Sequence, residues 1–214
     1  MTNPTQQTQQ TSNPLRTKEI KVGTIRAWLE ADNTIAQNII EKYSEINVDY
    51  EWWDYILEAF CEDLEKSGFH VDTGDIEFSG FHSQGDGASF TGYINILEYL
   101  KSTKQLTKYS ALARAIRNDK IEDSINISRF NSQYSHENTC SVDEVEYYDY
   151  DSLSDKALSQ ITEIESELED ARCEFSQELY EKLYNSYTYL TSAESIIETL
   201  SANEYEFDEY LQFA

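Results

Sequence analysis

Cations are what this chain has least of. Of its 214 residues, 41 are Asp or Glu and only 16 are Lys or Arg, so the formal net charge is −25 at pH 7. Phosphate-rich partners need a basic footprint, and this balance excludes binding nucleic acid or an anionic membrane by general electrostatics. Cysteine is scarce as well: Cys61, Cys140 and Cys173 are odd in number and far apart, and make neither a disulfide framework nor a CxxC metal knuckle. No apolar run approaches the roughly 18 residues of a membrane helix. The stretch from Met1 to Pro14 has neither the basic start nor the apolar core of a signal peptide. A reduced, cytoplasmic protein without a membrane partner is the expectation.

Proline is confined to Pro4 and Pro14, which leaves the rest of the chain free to form long helices. Aromatic residues are plentiful, with 16 Tyr, 9 Phe and 3 Trp, and acidic disordered chains lack that content. Residues 1–17, rich in Gln, Thr and Asn, read as a disordered polar tail.

Apolar spacing predicts a helix over 32–47, capped by Asp32 or Asn33, and a second over 50–67 that ends at Gly68. Six of the seven glycines then fall between 68 and 92. Alternating segments at 75–81 and 88–96, joined by a Gly-rich connection, read as a β-hairpin. A helix over 97–118 and a second hairpin, 124–130 with 139–147, follow. From about Ser154 to Leu190 the apolar residues step by three or four without a break, which predicts one long helix before a short one at 192–200. The fold class expected is α+β: two hairpins forming a small antiparallel sheet packed with helices, plus a long acidic C-terminal helix. As domains this gives an α+β core over 18–150 and an acidic region over 151–214, packed on the core or used for association.

The charge is uneven. Residues 143–214 hold 20 acidic and 3 basic side chains. On the long helix Glu163, Glu167, Asp170, Glu174, Glu178 and Glu181 fall on one face, with Glu165 and Glu169 as flanking residues. Like charges at such spacing cost roughly 0.2–0.5 kcal/mol per pair in an isolated helix. The stripe is either a solvated face or a surface for a basic partner, including mimicry of nucleic acid. One carboxylate per turn rises about 5.4 Å, against about 3.4 Å per phosphate of a DNA strand, so a mimic would need further acids or a dimer partner. A basic island, Lys101, Lys104, Lys108, Arg114, Arg117 and Lys120, stands against this background. Its simplest role is an intramolecular or homodimer contact with the acidic regions.

Chemistry-bearing groups concentrate in the connection His82-Ser-Gln-Gly-Asp-Gly87, where His82, Gln84 and Asp86, together with His136 of the second hairpin, form a possible functional loop. His82 and Asp86 could serve as base and orienter, or as ligands with His136. A plain turn, with Gly85 and Gly87 supplying positive-φ positions, is the more economical reading. No GxxxxGK[ST], GxGxxG, HExxH or GxSxG pattern occurs. No catalytic residue, metal site or cofactor is therefore assigned.

The segment Phe78-Ser-Gly-Phe-His-Ser-Gln-Gly-Asp-Gly-Ala-Ser-Phe90 resembles a motif of a bacteriophage and prophage protein family without assigned function. Tyr134-Ser-His-Glu-Asn-Thr139 and the C-terminal Ala202-Asn-Glu-Tyr-Glu-Phe207 are similar to two further signatures of that family. The resemblance implies viral origin and action in a host bacterial cytoplasm, with no known catalytic residues to carry over. Together with the acidic helix it gives the functional expectation. This is a non-enzymatic inhibitor that binds a host defence or nucleic-acid-processing protein through a basic or nucleic-acid-binding surface, without direct DNA binding. The alternative is a small enzyme or ligand-binding domain built on the His82–Asp86 connection and His136.

Overall fold

The structure, a computed structural model, describes residues 19–214. The tail expected over 1–17 lies outside the described residues. In chain order the elements are β1 (Val22–Thr24), α1 (Ile25–Ala31), α2 (Asn33–Lys42), α3 (Asp54–Lys66), β2 (Phe69–His70), β3 (Ile76–Ser79), β4 (Gly87–Phe90), β5 (Gly92–Asn95), α4 (Ile96–Ser102), α5 (Ser110–Arg117), β6 (Ser124–Arg129), β7 (Cys140–Val142), α6 (Asp155–Leu190), α7 (Ala193–Ala202) and β8 (Glu206–Asp208). The class is α+β with a long C-terminal helix, as the sequence pattern indicates. Among the described residues no helix is long and apolar enough to cross a membrane.

The chain divides into two compact units, with boundaries at 44/45 and 192/193 rather than at 150. One joins the two ends of the chain: the described residues through Ser44 together with Ala193–Ala214. In it β1 pairs antiparallel with β8, and the Trp28 indole N–H donates to the Phe207 carbonyl at 3.0 Å. Ile25, Ile39, Ile196, Leu200 and Phe207 form its buried interior. Asp32 caps α2 by accepting from the Thr34 and Ile35 amides, and the helix stops at Lys42 instead of continuing to 47.

The other unit, Glu45–Ser192, contains both hairpins and α6. The expected partition of strands is refined here. The first hairpin, β3 with β4, forms a two-stranded sheet of its own, while the four-stranded antiparallel sheet runs β2-β5-β6-β7. The segment 88–96 thus serves two sheets. It bends at Gly92, whose φ of +150° and approach to the His70 carbonyl leave no room for a side chain. The helix expected over 97–118 is two helices. Ser102 and Thr103 return their hydroxyls to the Tyr99 carbonyl at 2.9 and 2.8 Å, ending α4, and Lys104 turns the chain at φ +61°.

The 36 residues of α6 span about 54 Å. Ser154 caps the helix by accepting from the Ala157 amide at 3.2 Å. Ile161, Ile164, Leu168, Leu179 and Leu183 pack into the same core as Phe60, Phe69, Phe90, Leu100 and Ile125. Burying that seam is what keeps α6 with the sheets and moves the unit boundary beyond it.

Candidate binding face and the Gly-rich loop

Helical periodicity and burial separate the eight acidic residues between Glu163 and Glu181 on α6 into two groups. Glu163, Asp170, Glu174, Glu178 and Glu181 are exposed. Glu163 accepts from the Ser159 hydroxyl at 3.3 Å and Glu178 pairs with Lys182 at 2.8 Å. Asp170, Glu174 and Glu181 meet no hydrogen-bond or ion-pair partner among the described residues. From Glu163 to Glu181 this face extends about 27 Å.

Glu165, Glu167 and Glu169 are committed inside the unit. Glu167 accepts from the Tyr109 phenol at 2.7 Å, the Lys108 ammonium at 3.1 Å, the Tyr99 phenol at 3.4 Å and the Gln105 amide. Burial pushes its carboxyl up, but the hydrogen bonds from Tyr109, Lys108 and Gln105 outweigh this and hold it below its ordinary value. Burial and the adjacent Glu167 charge push the Tyr99 phenol up.

Glu165 and Glu169 do not flank the exposed row. A helix step of 100° per residue puts them across the buried seam from it, on the side facing β7. There they accept from the outward amides of Val145 and Val142, each at 2.9 Å. Because β7 is the edge of its sheet, Glu169 satisfies at Val142 a donor that would otherwise be open for pairing.

Arg172 was not singled out by the sequence reading. It is 1% exposed, and donates to both Glu169 oxygens, to the Glu137 carbonyl at 2.7 Å and to the Cys173 sulfur at 3.0 Å. Its signal was a cation lying in the apolar row between Leu168 and Leu179. Gln160 lies in that row too. Its carbonyl accepts from the Ala111 and Leu112 amides, both at 3.0 Å, and so caps the start of α5.

The Gly-rich connection runs from Gly80 to Asp86, between β3 and β4. Positive φ occurs at Gly80 (+46°) and Gly85 (+96°), not at Gly87. Gly87 is required for a different reason: a Cβ there would lie 2.5 Å from the His136 Cα, so the two loops touch backbone to backbone. Asp86 turns its carboxylate back to accept from the amides of His82, at 2.8 Å, and Ser83, at 2.5 Å. The contact between His82 and Asp86 is thus through the main chain, and the imidazole lies near Tyr187 instead, with ring centroids 6.4 Å apart. Phe81 anchors the loop to α6, stacking on Tyr187 at 4.8 Å and Tyr180 at 5.7 Å.

Gln84, Asp86 and His136 do come together. With Tyr134, Glu137 and Asn138 they line an open cleft of about 570 Å³, from which His82 is absent. His136 Nδ1 accepts from the Asn138 amide at 3.2 Å, so this ring acts as a cap for the short 3-10 turn Glu137–Thr139. Beneath, Ser89 and Thr139 are fully buried, their hydroxyls 3.1 Å apart and both within reach of Arg129. Among the described residues no three His, Cys, Asp or Glu side chains converge as a metal site.

The family model described as a domain of unknown function (DUF8835) matches residues 52–193. The chain belongs to this family. The DUF8835 region holds the Gly-rich loop, the 134–139 hairpin connection and the whole of α6, whereas Ala202–Phe207 lies beyond it. No curated protein and no solved structure matches the chain.

Proposed function

We propose that this DUF8835 protein is a binding protein whose exposed α6 carboxylates dock on a basic surface of another protein. In this reading it is phage-encoded, acts in a host bacterial cytoplasm and inhibits a defence or nucleic-acid-processing protein. The observation that carries the proposal is the row of Asp170, Glu174 and Glu181. These three carboxylates have no hydrogen-bond or ion-pair partner among the described residues, and they share one face of a helix whose opposite face is packed into the core. The phage element rests on the resemblance of the Phe78–Phe90 and Tyr134–Thr139 segments.

Partner recognition by charge favours fast association and strong salt dependence. Nucleic-acid mimicry is the narrower form of the proposal. With Glu165 and Glu169 turned to the other side of the helix, the row on α6 remains sparse against a phosphate lattice. A basic patch on a folded protein fits it better than a DNA-binding groove does.

Affinity purification from bacterial lysate on the immobilised chain tests this. A partner with a basic surface, eluted by raising salt from about 0.1 to 0.5 M, is the expected result. Recovery of only acidic or salt-resistant partners would count against it.

One observation favours a second reading: the convergence of Gln84, Asp86 and His136 on a single cleft. A ligand-binding domain using that cleft would lose its ligand in D86A and H136A while remaining folded.

A further inference from the structure

The cleft between the Gly-rich loop and the 134–139 connection is lined by polar groups that the fold leaves unused. The Gln84 amide and the Tyr134 phenol meet no hydrogen-bond partner among the described residues, and Tyr134 is 41% exposed. His136 Nδ1 accepts from the Asn138 amide, so the ring proton sits on Nε2, which is left to donate. Asp86 takes its two loop amides on Oδ2, and Glu137 takes the Asn138 side-chain amide on Oε1 at 3.3 Å. Each carboxylate thus keeps one oxygen without a hydrogen bond among the described residues. The Tyr134 ring is held in place: a Cβ on Gly85 would come within 2.7 Å of it, and it stacks on His136 with centroids 5.8 Å apart.

This chemistry narrows the ligand. The lining has Asp86 and Glu137 but no Lys or Arg, and the chain carries −25, so phosphates, nucleotides and acidic sugars are repelled. A simple cation would leave the donors of Gln84, Tyr134 and His136 without use. An apolar ligand would strand the amides and carboxylates unpaired. A flat nucleobase fits best in a slot between two faces, whereas the Tyr134 and His136 rings lie against each other. We infer that the cleft binds a neutral saccharide. Each sugar hydroxyl both donates and accepts, which suits amides and carboxylate oxygens set beside an imidazole N–H, while the C–H face of the sugar ring stacks on Tyr134. At about 570 Å³ the cleft falls within the usual range of small-molecule sites, roughly 300–1,000 Å³. The inference rests on the reading of this cleft as a ligand site and is independent of the α6 face.

NMR titration of the isotope-labelled full chain tests it, with glucose, galactose, mannose, N-acetylglucosamine, maltose and lactose as probes. Adenosine, inorganic phosphate and arginine amide represent the competing classes. At least one saccharide should shift the backbone amides of 84–86 and 134–138, with a dissociation constant of about 1–10 mM. The three competing probes should leave those amides in place. Y134A should weaken saccharide binding at least tenfold, and Q84A by roughly threefold or more. H82A should leave it unchanged, since His82 does not line the cleft. The Gln84 side chain is exposed and makes no hydrogen bond among the described residues, so Q84A carries the test if the amide spectrum shows that Y134A loosens the loop. Shifts at these amides with a competing probe and with no saccharide would overturn the ligand class while keeping the cleft as a binding site. No shift with any probe would overturn both the class and the ligand-site reading. A saccharide response equal in wild type, Y134A and Q84A would place the sugar elsewhere and overturn the inference as well.

Discussion

The Tyr109 phenol donates to the Glu167 carboxylate across 2.7 Å, joining the turn before α5 to the middle of α6. Tyr109 is 1% exposed, so losing this acceptor leaves a buried hydroxyl to find another. E167Q should cost roughly 1–3 kcal/mol, whereas E163Q, on the exposed face, should stay within about 0.5 kcal/mol of wild type. Urea unfolding of the two variants checks the difference.

Glu167 and Glu169 are both held below their ordinary value of 4.5, in each case because hydrogen bonds outweigh the upward push of burial. A carboxylate lowered in the folded state contributes stability that is present above the unfolded value. That stability is lost as pH falls through the lowered folded value. Unfolding free energy should therefore drop on acidification below about 4.5. The E167Q and E169Q variants should show a shallower drop in a pH series of urea melts.

Arg172 links α6 to the 134–139 connection. R172A should be among the most damaging single changes, at roughly 2–5 kcal/mol, because it empties a fully buried site and removes the donor to the Glu137 carbonyl and to Glu169. The double variant E169M/R172M should lose less than the sum of the single ones, with a coupling of about 1–3 kcal/mol. A thermodynamic cycle by denaturant unfolding reads this directly.

The legible part of the fold was whatever repeats. The α6 pattern extends over ten turns, and its start at Ser154 and end near Leu190 follow from it. The two hairpins were found from alternation and glycine. Short or acidic elements were not. Strand β1 has three residues, and β8 is Glu206-Phe-Asp208, with only Phe207 buried. Neither carries enough period to announce that the chain ends fold together. The acidic residues of α6 were found, but sequence spacing could not say which were already used. Glu169 is set apart by its hydrogen bond from the Val142 amide of β7 and Glu165 by one from Val145 just beyond it, and these depend on which strand forms the sheet edge.

Gly87 and Gly74 offer a contrast within one segment. A Cβ at Gly87 meets the His136 backbone at 2.5 Å, whereas nothing lies within 4 Å of one at Gly74. G87A should destabilise by roughly 1–3 kcal/mol and part the two loops. G74A should be neutral or stabilising by about 0.4–1 kcal/mol. Thermal melts of the pair suffice to check it.

Asp86 holds the Gly-rich loop through the His82 and Ser83 amides. In hydrogen exchange, D86A should expose these two amides while leaving those of β6 protected. H82A should leave both as protected as in wild type, since the imidazole takes no part in the contact.

The central claim is that the exposed carboxylates of α6 form a partner-binding face. Its most direct test is quantitative capture from the same bacterial lysate on wild type, on E163K/D170K/E174K/E181K and on the folded control E58K/E62K, with yields compared at 0.1 M salt. The account predicts that the partner retained by wild type and by the control falls at least tenfold on the α6 variant. Equal recovery on all three columns would contradict it.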